Sequence, residues 1–291
     1  MRFTQTGPRQ FSTFTYDPAW TTNSHAFALQ PDMPIEGGPF HASAPSNNSR
    51  DALAGVFSDA APDSWGRRLL ERAYGAGLSE FEYLMLSDDT CRQGALRFLD
   101  DQGKVIIGNA TEAVPRLLDL QAITVIARAY EQDKNISAQD MQTLAGAGGS
   151  GGARPKANVR DGDTLWLAKF TSVHDQRPIE LVEVATLRLA RACGIRTPEV
   201  RLELADTPFP VALLRRFDRR GEARIPYISA RTALGKTGTE LGSYTEIVDF
   251  MRTVAAAPKE DFLELYLRLI FTVLVSNKDD HLKNHGFLYV G

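Results

Sequence analysis

Cysteine is scarce: Cys91 and Cys193 are the two in 291 residues, far apart and with neither CxxC nor Cys/His spacing. That excludes a disulfide framework or a zinc scaffold and suits a reducing compartment, with both expected as small core residues. Long apolar runs are lacking too. No stretch approaches the roughly 18 residues a membrane span needs, and the first thirty residues show no basic-then-apolar leader pattern, so a cytoplasmic chain without membrane association is expected. An excess of basic charge is also missing, since the net charge is -3. That argues against a whole-surface nucleic-acid binder and leaves only local basic patches. There is no internal repeat. With 43% hydrophobic and 24% charged residues, the chain reads as an ordinary globular protein of one large or two to three small domains.

What is present concentrates near the end. Phe262, Tyr266, Ile270, Val273 and Leu274 recur at three- and four-residue steps. This spacing predicts a helix with one buried apolar face, ending near Ser276. It runs into Asn277-Lys278-Asp279-Asp280-His281-Leu282-Lys283-Asn284, too polar for a core, and then into a strand-like run from Gly286 to Val290. Asp279 and Asn284 stand in the Asp-x-x-x-x-Asn spacing by which a kinase catalytic loop sets a proton-accepting carboxylate beside a hydroxyl and a metal-binding amide five positions on. Two other readings stay open. His281 and His285, four apart, would share one metal if a helix continued through them, although the Glu of a zinc hydrolase is replaced by Leu282. Alternatively, Asp279, Asp280 and His281 merely solvate a turn.

Upstream, Gln10 to Tyr16 and Ala26 to Leu29 read as strands of a small β-rich entry module, with Pro31, Pro34 and Gly37-Gly38-Pro39 as turn markers. Asp63 is the expected N-cap of a helix burying Trp65, Leu69 and Ala73, with Gly75 past its end. Gly94 to Phe98 is an expected strand, with Asp100-Asp101-Gln102-Gly103 turning into Val105-Ile106-Ile107. Helices follow over about 119–130 and from a Ser137 cap to about Leu144.

The glycine cluster comes next, Ala145 to Lys156, with Ser150, Gly151, Gly152 and Ala153 at its centre. Glycine density of this kind lets backbone amides approach a phosphate, with Arg154 or Lys156 adding charge; a flexible linker is the rival reading. A strand pair around the Asp161-Gly162-Asp163 turn follows and places Lys169 among apolar neighbours. A helix from Ile179 to Ala190, ended by Gly194, then carries Glu180 and Glu183, either of which could reach Lys169 as its charge partner. Two more strands, Val200 to Leu204 and Val211 to Arg219, complete the set. Glycine loop, strand lysine, helix glutamate, strands and Asp/Asn loop is the serial order of a protein-kinase-like fold.

In these residues the chain resembles the HipA-type serine/threonine kinases, the toxin halves of bacterial toxin–antitoxin pairs. Phe14 to Trp20, Pro62 to Arg67 and Gly94 to Phe98 are similar to that family's N-terminal region, Gly152 to Ala157 to its glycine-rich loop, and Asn277 to Gly286 to its catalytic loop. The resemblance implies an α+β, protein-kinase-like two-lobed fold: an N-terminal subdomain over 1–110, a kinase N-lobe-like region over 111–216, and a partial helical C-lobe over 217–291. It implies ATP and Mg2+ as cofactors. Lys169 would hold the ATP phosphates together with Ser150, Gly151, Gly152, Ala153 and Lys156, Glu183 would orient Lys169, Asp279 would be the catalytic base and Asn284 a magnesium ligand. Leu213 and Leu214 would begin the hinge segment, running to Asp218, that meets adenine, and Ser150 would be the position of inhibitory self-phosphorylation. Implied partners are a HipB-like DNA-binding antitoxin, with DNA reached only through it, and a protein substrate such as an aminoacyl-tRNA synthetase. The family places a second metal-binding aspartate further downstream than Gly291. The expectation is therefore a piece of a longer kinase or a degenerate one; a non-catalytic antitoxin-binding module is the alternative function.

Overall fold

The computed structural model describes residues 1–7, 9–45, 51–106, 108, 114–148, 152–238 and 240–290. The chain starts as a three-stranded antiparallel sheet of β1 (Arg2–Thr6), β2 (Arg9–Phe14) and β3 (Phe40–Pro45), with α1 (Pro18–Thr21) in the connection. The strand expected over Ala26 to Leu29 is a loop instead. Phe27 leaves any ladder to stack on Tyr289 at a centroid distance of 4.1 Å, and the third strand forms later, from Phe40.

Three helices follow: α2 (Gly55–Ala60), α3 (Ser64–Tyr74) and α4 (Glu80–Leu86). Ser79 and Glu82 close a capping box on α4. Asp63 does sit at the N-cap of α3, but its side chain makes no cap hydrogen bond. Gly94 to Phe98 is not a strand. Gly94 takes φ 76 and gives its N–H to the Asp218 carboxylate at 2.7 Å, while Arg97 turns to Asp89; among the described residues, which leave out Ile107, a single bridge joins Leu99 and Val105.

The central unit begins with α5 (Leu120–Glu131) and α6 (Ala138–Ala147), the latter three residues longer than its pattern suggested. Then come β4 (Lys156–Asp161), β5 (Thr164–Phe170), α7 (Ile179–Ala192), β6 (Val200–Glu203) and β7 (Val211–Arg215), forming a four-stranded antiparallel sheet in the order β4-β5-β7-β6. Trp166, Phe170, Val211 and Leu213 from this sheet share one core with Trp65 and Leu69 of α3, Ile123 of α5 and Leu144 of α6. Each such fully buried side chain contributes roughly 1.5–3 kcal/mol. That core draws side chains from α3 as well as from the sheet and from α5 and α6.

A small ribbon of β8 (Arg219–Arg220) and β9 (Ala223–Arg224) leads to β10 (Tyr227–Ser229), then α8 (Ala230–Ala233), α9 (Tyr244–Val254), α10 (Pro258–Leu274) and β11 (Gly286–Leu288). β10 and β11 pair antiparallel, with Ser229 opposite Gly286, which anchors the polar loop at its far end. Only glycine fits there, because a Cβ at position 286 would lie 2.2 Å from the Tyr227 ring. The apolar stripe of α10 is not buried as its spacing predicts. Tyr266, Ile270, Val273 and Leu274 are 59%, 41%, 68% and 76% exposed, whereas Leu265 packs with Ile247, Met251 and Leu282. Periodicity tells which residues share a face but not whether anything covers it. Cys91 is buried as expected, but Cys193, just past α7, is exposed.

Candidate functional site

The antiparallel register sets Lys156 of β4 opposite Lys169 of β5, so the two ammonium groups leave the sheet on the same face. Lys169 donates to Glu183, one turn into α7, and this ion pair is partly exposed. Of the two glutamates that spacing left open, Glu183 is therefore the partner of Lys169. Glu180 is buried and accepts from Thr171 Oγ1 at 2.9 Å and from Arg154 at 3.1 Å, an occupation that fixes Arg154 beside Asp175 as well.

Lys156 is 4% exposed, and burial together with the nearby Lys169 charge pushes its pKa down from the ordinary lysine value to about 8. Gly152 turns directly over it: its φ is +82, and a Cβ there would stand 2.9 Å from Lys156 Nζ. A side chain at 152 would thus fill the space above the cation. Since folding lowers this pKa, the unfolded chain holds the extra proton between about pH 8 and the ordinary lysine value. The cost of burying the charge is complete below about pH 8 and is relieved as pH rises through that window, so stability climbs with pH there. Lys156→Met is expected to raise stability at pH 7 by about 1–3 kcal/mol and to abolish that climb. Urea midpoints of both proteins at pH 7 and at pH 9.5 check it; a parent protein with equal midpoints at both values would contradict it.

The glycine segment is held by the first turns of α3. Trp65 N–H donates to Gly152 O at 3.2 Å, Trp65 Nε1 to Lys156 O at 2.8 Å and Arg68 to Ala153 O at 2.8 Å. Asp63 accepts the Gly152 N–H at 2.8 Å with one carboxylate oxygen and the Lys283 ammonium at 3.2 Å with the other. Through Asp63 the glycine turn, 89 residues downstream, meets the polar loop, 220 residues downstream. Spacing and composition assign no role to Lys283 and mark Asp63 only as a helix cap. The one available hint was a carboxylate just before a helix whose glycine-rich neighbour would need an acceptor.

The polar loop leaves α10 through Ser276, at φ 56, and continues without α-helix; Leu282–Asn284 forms a single 3-10 turn. The helical pairing of His281 and His285 on one metal therefore does not arise. His281 Nδ1 accepts Lys283 N–H at 3.2 Å, while His285 Nε2 lies 2.7 Å from Asp280. Among the described residues no group of three or more His, Cys, Asp or Glu could hold a metal ion. Asp280 is buttressed from both sides, by His285 and by the Tyr244 hydroxyl at 2.6 Å. Its neighbour Asp279 has a side chain 87% exposed, with Oδ1 3.6 Å from His281 Nε2, and a backbone fixed by Asn284 Nδ2 on its carbonyl at 2.6 Å and by its own N–H on Asn277 Oδ1 at 3.1 Å. With its amide nitrogen so engaged, Asn284 has its amide oxygen left for a cation.

Lys156, Lys169, Glu183, Gly152 and Lys283 thus come together, and Asp279 and Asn284 are bonded within the Lys283 loop. Ser150 and Gly151 lie outside the described residues. Leu213 and Leu214 sit inside β7, registered against β5 and β6 on its two sides, so their backbone groups belong to the ladder and the Leu213 side chain to the core. Three cations around a glycine turn fit the phosphates of a nucleotide. An amide oxygen near a carboxylate fits a hard divalent cation that takes its other ligands from phosphate and water.

Comparison with known proteins bears on the family and the fold. Residues 2–99 match the family described as HipA N-terminal domain, and residues 148–291 the family described as HipA-like C-terminal domain. The chain is 26% identical over 298 residues to the Sinorhizobium fredii protein named "Putative kinase Y4mE", covering 95% of this chain and 68% of that one. It superposes with a TM-score of 0.62, at 18% identity, on a chain of the solved Shewanella oneidensis MR-1 toxin–antitoxin complex of HipA, HipB and operator DNA. That match covers 99% of this chain and 70% of the other. The α+β, kinase-like fold expected from the sequence is the fold found. With its N-terminal and C-terminal parts both matched, the chain belongs to the HipA family.

Proposed function

We propose that this protein is an ATP-dependent serine/threonine protein kinase of the HipA toxin type. The observation that carries the reading is the Lys169–Glu183 pair beside the Gly152 turn, with Lys156 beneath that turn. A lysine aimed by a helix glutamate is how a kinase orients nucleotide phosphates. In this reading Lys169, Lys156 and Lys283 take the phosphate oxygens of ATP, the substrate. Phosphate next to Lys156 restores the proton affinity that burial has lowered. Asp279, standing out from a loop with a fixed backbone, accepts the proton of an incoming serine or threonine hydroxyl. Asn284 would hold magnesium together with the phosphates, and the ion would neutralise charge on the transferring group. The adenine would meet the chain past the paired part of β7, at the exposed Phe217.

The partner proposed is a HipB-like DNA-binding antitoxin, by analogy with the Shewanella complex of HipA, HipB and operator DNA. The phosphorylated substrate is proposed to be a protein of translation, such as an aminoacyl-tRNA synthetase. Calorimetric titration with ATP and magnesium tests the reading. The unsubstituted chain is expected to bind, and Lys169→Met to bind roughly ten- to a hundredfold more weakly, the value of one lost charge-assisted contact. No binding by the parent chain, or equal binding by Lys169→Met, would overturn it.

A further inference from the structure

Asp63 occupies the N-cap of α3 without capping it. Its carboxylate is spent elsewhere, with Oδ2 accepting Gly152 N–H at 2.8 Å and Oδ1 accepting Lys283 Nζ at 3.2 Å. Those two donors, a backbone amide in a glycine turn and an ammonium from the Asp279 loop, are the kinds of group that a phosphate oxygen takes. Position alone does not explain the carboxylate. Trp65 and Arg68 already hold the glycine segment through Gly152 O, Lys156 O and Ala153 O. What Asp63 adds is a negative charge placed on donors of the phosphate type, within the electrostatic reach of Lys156 as well.

We propose that Asp63 is a positioning residue that acts as an internal counter-anion. Its carboxylate competes with the phosphate end of the nucleotide for Gly152 N–H and Lys283. When phosphate takes those donors, Asp63 is displaced onto the first-turn amides of α3, the place its N-cap position prepares for it. This rests on the nucleotide reading above. The competition is selective in its chemistry. Removing the charge strengthens the attraction of Lys283 and Lys156 for a polyanion and does nothing for an uncharged nucleoside.

The test uses D63N, which keeps an oxygen acceptor for Gly152 and remains a good N-cap, and D63S, a smaller cap residue without charge. Each is titrated calorimetrically with ATP and, separately, with adenosine, with thermal melts to check folding. Both variants are expected to bind ATP about fivefold more tightly than the parent, the order of a partly exposed ion pair, and adenosine unchanged. The ATP gain should shrink as salt is added. Equal or weaker ATP binding in the folded variants overturns the proposal, since Asp63 would then be neutral or a clamp; a gain shared by adenosine also overturns it. If the parent chain binds neither ligand, the nucleotide reading itself fails and takes this inference with it. ATP binding that is equal in parent and variants removes only the role of Asp63.

Discussion

Asp279→Asn is expected to lower ATP-dependent phosphate transfer to serine or threonine hydroxyls by about 10²–10⁴-fold, while ATP affinity stays within about twofold. The substitution keeps size and shape but removes the capacity to accept a proton. The carboxylate carries little of the fold, with a loose contact at 3.6 Å to the exposed His281. It is 87% exposed, and the loop around it is fixed by backbone contacts through Asn277 and Asn284 and by the Tyr244–Asp280–His285 set. Stability should therefore change by no more than about 0.5 kcal/mol. Rates of labelled phosphate incorporation, read beside ATP affinity and a thermal melt, check all three expectations. Equal rates in parent and variant would remove Asp279 from the chemistry, and a large loss of ATP affinity would make it a binding group instead.

Asp218→Ala should act on the fold rather than the chemistry, costing about 3–5 kcal/mol because it strands a buried cation. Asp218 is fully buried and accepts from Arg216 at 2.8 and 2.6 Å and from Gly94 N–H at 2.7 Å, with Arg219 at 3.0 Å. Arg216 is itself 5% exposed and reaches Cys91 O and Asn158 Oδ1, so the pair joins the N-terminal segment to the central sheet. Burial alone would raise the Asp218 pKa, but Arg216 and Arg219 outweigh it and hold the carboxyl below the ordinary aspartate value. A carboxyl lowered on folding contributes stability above its unfolded pKa, and that contribution is lost as pH falls through the folded value. The parent protein should therefore lose this stabilisation under acid, below about pH 4, and the variant should lack that part of the acid transition. Urea midpoints from pH 7 downward provide the measurement; a loss below about 1 kcal/mol at pH 7 would mean the cluster relaxes around the missing group.

Much of the site was legible in the chain because its signals are local. The glycine run before Lys156, the hairpin around Asp161-Gly162-Asp163 and the Asp279-to-Asn284 spacing are each set by neighbours a few residues apart, where turn chemistry and strand alternation act. The choice between Glu180 and Glu183 was not legible, since both lie on one side of α7. Thr171 and Arg154, from other segments, claim Glu180 and leave Glu183 to Lys169. Gly94 to Phe98 misled for the same reason: its apolar alternation suits a strand, but a carboxylate 124 residues away captures the Gly94 N–H.

By itself, then, the sequence determined most of the order of the elements, the kinase-like fold they build and the residue types proposed to handle phosphate and proton, because backbone preference and apolar period act at short range. The tertiary structure alone decided which charges meet. It set Lys156 under Gly152, Lys169 against Glu183, and Asp63 between Gly152 and Lys283. It also left the stripe on α10 exposed although its spacing suits a core. Electrostatic pairing and burial depend on distance in space, and no spacing along the chain encodes that.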